Sequence, residues 1–455
     1  MTNHVNRRTF LKGSGTVLGG IAAGTTVVAA ERTDRFIVQT KGNRRLRGLD
    51  VVHEMPGVRF AVVRGAESAV KRSSAVRAYA PDVEIDIGLP APSERAPTVE
   101  ESTVGDEPLY GLQWDKQHLD VSTAHETTTG AGSMVTVIDT GVAAGHPDLD
   151  VDVGLSQNFT GDGLGAGNPA GGYHGTHVGG IVAASENDKG VIGTAPDTTL
   201  VDCRVFSPGG LASFADILAA LVYSANIGAD AANMSIGAYP ISRQGLGSFY
   251  GKVVNAVFTY ANRQGTLPIV SAGNDGADLQ HDKNVISLPN EAAQAMSIAA
   301  TGPIGFGWDA TSVGDTEEPA ASPASYTNYG TNAVDLAAPG GDASPAGIAE
   351  EEDGDSFKPA WYLDLVLNSV AMPTYETDSE GNVTGIESVA YSWSWVAGTS
   401  MAAPQVAGAA ALVKSANPGL NANQVQAALT GAATVPSGYG KEYYGSGSLN
   451  VVDAL

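Results

Sequence analysis

From Ser133 to the C-terminus, short apolar runs alternate with stretches of helical periodicity, and no other feature of the sequence narrows the fold as far. Strands are predicted over 133–139, 199–205, 229–235, 268–272, 295–300 and 334–337. Helices are predicted over 174–185, 212–227, 247–264, 400–415 and 422–430. Strands separated by helices cross over rather than turn back, which gives an α/β fold: a mostly parallel sheet flanked by helices on both faces. Sheets of this kind hold ligands beyond the carboxyl ends of their strands. Asp139, Ser235 and Asn274 fall at such ends.

Four segments carry groups with chemistry. Val137-Ile138-Asp139-Thr140-Gly141-Val142 ends a buried strand on an acid, and His174-Gly175-Thr176-His177-Val178-Gly179-Gly180 opens a helix on an imidazole. Ser271-Ala272-Gly273-Asn274 places an amide on a Gly-flanked turn, and Gly398-Thr399-Ser400-Met401-Ala402-Ala403-Pro404 crowds small residues around a serine where a helix should begin. Pro404 fits a first helical turn, where a missing N–H costs little. A hydroxyl at a helix N-terminus sits among unpaired N–H groups suited to a developing oxyanion. Acid, imidazole and hydroxyl together are what nucleophilic acyl transfer requires.

These segments, with Asn233-Met234-Ser235-Ile236-Gly237, resemble in sequence and order the motifs of the subtilisin-like serine proteases. The resemblance runs from about Tyr110 to the C-terminus, interrupted by inserts at about 305–324 and 341–394, and includes a halophilic, halolysin-like type with a twin-arginine signal. It implies a subtilisin-like fold and a serine endopeptidase that needs no catalytic cofactor. Asp139 would orient the ring, His174 act as general base, Ser400 as nucleophile and Asn274 as oxyanion donor. His177, one turn on, would be structural, and His146 a loop residue. Substrate would add as a strand beside Ser235-Ile236-Gly237, with Ala272-Gly273 opposite. Asp148, Asn187 and Gln113 match positions that supply oxygens to the family's calcium site, Ser185, Lys189 and Val191 would add backbone carbonyls, and calcium suits such ligands. An inactive fold used as a binding scaffold, or a protease dedicated to one partner, are the rival readings.

Charge bears on partners and setting. Residues 1–100 carry 15 Lys/Arg against 10 Asp/Glu, which leaves 10 basic and 39 acidic side chains for 101–455, a net charge of −29. So acidic a body repels nucleic acid and anionic membranes. It suits a surface hydrated in concentrated salt, where self-repulsion is screened. The single cysteine, Cys203, excludes an internal disulfide and reads as a core residue.

The N-terminus reads as an address. Asn6-Arg7-Arg8-Thr9-Phe10-Leu11-Lys12 is a twin-arginine pattern, and the weakly apolar run to Ala30 closes a signal peptide over 1–30, with no stable membrane anchor. Residues 31–88 read as β-β-α-β, a compact unit resembling a subtilase pro-domain, which would inhibit its own enzyme. An exposed linker over 89–107 would hold the maturation site, and the peptidase domain would cover 108–455 as a monomer. In the larger insert, Trp361–Tyr375 and Val383–Trp395 are predicted to form a hairpin closed by Asp378–Asn382.

Overall fold

A computed structural model describes residues 27–42, 46–87, 107–243, 246–282, 284–306, 318–344 and 361–455. Most of the expected signal peptide, the maturation linker apart from Glu107, and parts of both inserts lie outside these residues.

The first unit contains β1 (Val27–Thr40), β2 (Asp50–Met55), β3 (Phe60–Arg64), α1 (Glu67–Arg72) and β4 (Val76–Asp86). Its antiparallel sheet has the order β2-β3-β1-β4 and is extended by β8 (Leu211–Ser213) from the body. β1 begins at Val27, opposite Asp86, so Val27–Ala30 belong to a strand of this unit.

The body is built on a seven-stranded sheet. Its members are β5 (Met134–Asp139), β6 (Gln157–Asn158), β7 (Thr199–Arg204), β9 (Ala231–Met234), β11 (Leu267–Ser271), β13 (Met296–Thr301) and β14 (Leu336–Pro339), in the order β14-β13-β11-β9-β5-β7-β6. Every neighbouring pair is parallel. α2 (His174–Ala183) and α5 (Thr399–Ala416) pack on one face, while α3 (Phe214–Ile227) and α4 (Leu246–Gln264) pack on the other. Strand alternation sorts the two cores: Val135 and Val137 join the α2/α5 side and Ile138 the α3/α4 side. α6 (Ala422–Ala432) follows α5, and its Asn421/Gln424 capping box fixes its start. The expected α/β architecture holds element by element.

Two smaller ladders complete the fold. β10 (Ala238–Ser242) pairs with β12 (Val285–Leu288), and β15 (Val366–Thr377) pairs with β16 (Val383–Val396) as the expected long hairpin. The hairpin base is clamped by His177, whose Nε2 lies 3.2 Å from the carbonyls of both Val366 and Ser394. Burial, then the neighbouring His174, push the His177 ring down to about 3, so it serves as a neutral donor there.

Candidate active site

β5 ends on Asp139, which is fully buried. One oxygen, Oδ1, accepts from the Thr140 N–H at 2.7 Å and from His174 Nδ1 at 2.8 Å. A carboxylate only accepts, so the proton sits on Nδ1 and leaves Nε2 of His174 as the basic nitrogen. That Nε2 is buried and has no hydrogen-bond partner among the described residues. The turn and the helix are locked together: Gly175 N–H donates to Thr140 Oγ1 at 2.8 Å, and that hydroxyl donates to Gly172 O at 3.0 Å. A Cβ on Gly175 would fall 2.7 Å from the Gly141 carbonyl, so only glycine lets α2 approach the turn this closely.

Ser400 is the second residue of α5. The helix begins at Thr399, which corrects the expectation for Pro404: it lies in the second turn. A proline there has no N–H to give to the carbonyl four residues back, which is that of Ser400. Ser235 supplies the missing donor, its Oγ donating to Ser400 O at 2.7 Å, while Ser400 Oγ donates to Ser235 O at 3.1 Å. Asn233 in turn donates from Nδ2 to Ser235 Oγ at 2.9 Å.

Asn274 is fixed from the same helix end. Its Oδ1 accepts from Thr399 N at 2.9 Å and Thr399 Oγ1 at 2.8 Å, so what the amide presents elsewhere is its NH₂, a pure donor. Gly273 donates to Thr399 Oγ1 at 3.1 Å and adopts φ +98°, where a Cβ would also meet Asn328 Nδ2 at 2.4 Å. Gly273 and Ser235 thus both contact the start of α5, through Thr399 and Ser400. A ring held at one nitrogen and basic at the other, a serine at a helix N-terminus and an amide held by its oxygen are parts suited to acyl transfer.

The peptidase S8 pattern, described as the Subtilase family, matches residues 130–447. The chain belongs to the subtilase family. It is 30% identical to Subtilisin Savinase from Lederbergia lenta over 344 residues, 74% of this chain and 97% of that one. It is 28% identical to Halolysin from Haloferax mediterranei over 64% of this chain and 50% of that one. In structure it is similar to the Epidermin Leader Peptide Processing Serine Protease from Staphylococcus aureus, with TM-score 0.68 at 19% identity, covering 93% of this chain and 98% of that one. The protein is therefore a serine-type endopeptidase.

The calcium ligands expected of this subtilase are gathered around one loop, but their oxygens are largely engaged. Gln113 Oε1 accepts from Ile192 N at 2.9 Å, and Asn187 Oδ1 from Lys189 N at 3.2 Å. Asp148 Oδ2 accepts from Val191 N at 3.2 Å and from the indole of Trp393 on β16. Only Asp148 Oδ1 is buried without a partner. Glu107, expected at the end of an exposed linker, is instead buried, and its carboxylate takes the N–H groups of Asn187, Asp188, Lys189 and Gly190. Among the described residues no group of three or more His, Cys, Asp or Glu is placed to hold a metal. Calcium takes six to eight oxygens, and the side chains gathered here offer one without a partner, so they do not by themselves fit it.

Sequence reasoning passed over Asn328, which organises the Asn274 turn. It donates to Ala272 O at 3.0 Å and accepts from Asp275 N at 3.0 Å and Ala277 N at 2.9 Å. Nothing in Thr327-Asn328-Tyr329-Gly330 distinguishes it from an ordinary turn asparagine.

Proposed function

We propose that the chain is a secreted subtilase that cleaves protein substrates through an Asp139-His174-Ser400 triad. It would be made as a self-maturing precursor, exported folded by the twin-arginine route and adapted to concentrated salt. The observation that carries this reading is the buried 2.8 Å contact from His174 Nδ1 to Asp139 Oδ1, with Ser400 opening the neighbouring helix. Asp139 holds the ring, and His174 Nε2 takes the Ser400 proton as the hydroxyl turns from Ser235 O. The Asn274 NH₂ and the Ser400 N–H receive the oxyanion. The backbones of Ser235-Ile236-Gly237 and Ala272-Gly273 receive the substrate as a strand. Calcium at Asp148, Asn187 and Gln113 is left out of the reading because three of their four side-chain oxygens already accept N–H groups, Asp148 Oδ1 being the exception.

The precursor part rests on how the first unit meets the body. Arg35 is buried between Asp82 of its own unit, at 3.0 Å, and Asp216 of α3. Among the described residues no helix is long and apolar enough to cross a membrane. The net charge of −29 over residues 101–455 supports the salt adaptation.

The test compares wild type with Ser400→Ala, both made as precursors in concentrated salt, by intact mass and casein hydrolysis. Wild type should lose about the first hundred residues, the span of signal, first unit and linker, and should cleave casein; the variant should do neither. Identical behaviour would favour the inactive-scaffold reading. A wild type that matures yet ignores unfolded proteins would favour processing of one partner, as the name of the staphylococcal protein describes for that enzyme. Loss of structure and activity on dilution into low salt is the matching expectation for the surface charge.

A further inference from the structure

We propose that Asp202 is a positioning residue for the acid end of the triad, tying β7 to the turn after Asp139 and bringing its own charge to bear on the Asp139–His174 pair. The proposal rests on the triad reading above and extends it to a residue outside the motifs.

The strand register places Asp202 there. β7 pairs in parallel with β5, with Val137 opposite Asp202 and Asp139 opposite Arg204. Paired residues share a face, so one face of the two strands carries Asp139, Asp202 and Arg204. Along β7, Leu200, Val201 and Cys203 beside Asp202 are buried and apolar or thiol, and the one other buried charge is Arg204. A carboxylate in that setting is an expensive occupant of a position that any aliphatic residue would fill.

Its contacts run to the catalytic loops. Gly167 N–H donates to Asp202 Oδ2 at 2.7 Å, and the Val142 N–H also favours the ionised carboxylate. Gly167 O accepts from Ala144 N at 3.0 Å, and Gly171 N–H donates to Thr140 O at 2.9 Å. Asp202 therefore grips the point where the turn 139–144 meets the loop leading into His174. Its second oxygen, Oδ1, is buried with no partner among the described residues. Arg204 does not neutralise it by contact. The guanidinium goes to Asp162, at 2.8 and 2.7 Å, and to the carbonyls of Gly165 and Phe206.

The charged groups bearing on Asp202 are Arg204 on its own strand, which favours ionisation, and Asp139 on β5, which opposes it. Beyond them lie Asp162, paired to Arg204, and His174, paired to Asp139; His177 on α2 is neutral. Burial above all raises the Asp202 carboxyl, from 3.8 to about 7. A raised acid contributes stability that is full below its ordinary pKa and lost as pH rises through the folded value, here about 7. In the working range the charge therefore costs the fold. Its return is catalytic: a second negative charge near Asp139 favours the imidazolium that forms when His174 takes the serine proton.

The experiment uses Asp202→Asn in the full chain, since the amide keeps an acceptor for Gly167 and places its NH₂ where Oδ1 has no partner. Activity is normalised to sites titrated with a serine-directed phosphonate. At about pH 8 we expect kcat to fall roughly three- to ten-fold with KM unchanged, and the acid limb of kcat/KM to move down by about half a pH unit, as removal of a nearby negative charge disfavours the imidazolium. The melting temperature should not fall. An unchanged kcat and acid limb overturn the proposal. If the variant does not fold, the wild-type limb decides: a limb that fits two ionisations supports the proposal and one that fits a single ionisation overturns it. Ser400→Ala separates the two readings, because activity in that variant removes the triad itself, whereas an inactive Ser400→Ala beside an unaltered Asp202→Asn removes only the role of Asp202.

Discussion

Ser235 and Ser400 are joined twice, each hydroxyl donating to the other's carbonyl, at 2.7 Å and 3.1 Å. The pair exists because Pro404 leaves the Ser400 carbonyl without its helical donor. Ser235→Ala should therefore strand a buried carbonyl at the head of α5. We expect a loss of about 1–3 kcal/mol in stability, read by denaturant unfolding in concentrated salt. A loss near zero would mean that the helix end closes up by itself.

The Asn274 amide is held by Thr399 at its oxygen end, which leaves its NH₂ for the oxyanion role proposed above. Asn274→Ala should lower kcat about 10²–10³-fold with little change in KM, because the donor acts on charge that develops only in the transition state. Steady-state kinetics on a peptide anilide would show it. A change confined to KM would assign Asn274 to substrate binding instead.

Lys116 links the two helices of the site from beneath. Its ammonium is fully buried and donates to Ile181 O of α2 at 3.0 Å, to Gln405 Oε1 of α5 at 2.6 Å and to Thr194 Oγ1 at 2.8 Å. Lys116→Met leaves Asp115 buried without a cation and should cost about 3–5 kcal/mol. Burial lowers the ammonium from 10.5 to about 8. The unfolded chain thus holds more protons than the folded one between about pH 8 and 10.5, and the wild type gains stability across that window as pH rises. The deficit of the variant should widen over the same range.

Arg35 sits between two buried carboxylates, one on each side of the contact between the first unit and the body. Arg35→Met leaves Asp82 and Asp216 facing each other with only the partly buried His53 beside Asp216. The precursor should melt lower and mature more slowly by intact mass. Maturation at the wild-type rate would show that the remaining contacts of this sheet are enough to seat it.

Chelation tests the loop after α2. With Glu107 on its N–H groups and Trp393 on Asp148, EDTA at fixed ionic strength should leave the melting temperature unchanged, whereas Trp393→Phe should lower it. A drop of several degrees with EDTA, reversed by added calcium, would restore the metal to this loop.

Much of this was legible in the chain. The strand-helix alternation fixed the parallel sheet, and the motifs named Asp139, His174, Asn274 and Ser400 because a chemical group and its turn residues lie side by side there. Partners far apart in sequence were not legible. Asn328 serves the Asn274 turn from 54 positions away in chain order, and Trp393 reaches Asp148 across 245. Pro404 misled for a local reason: a proline near a helix start resembles a first-turn residue unless the carbonyl it frees has another donor. Asp202 was hidden because a single acid in an apolar strand carries no motif.

The hairpin β15–β16 enters and leaves the body at Val366 and Val396, which stand opposite each other in its ladder. Whatever is threaded between those two points begins and ends at the same place, one residue pair wide and two positions before Gly398. The ribbon is therefore two things at once: its base, with Val366, Leu367, Val370 and Trp395, is part of the α2/α5 core, and only its exposed tip, residues 376–382, is the place where length or sequence should change while Ser400 stays where the sheet has set it.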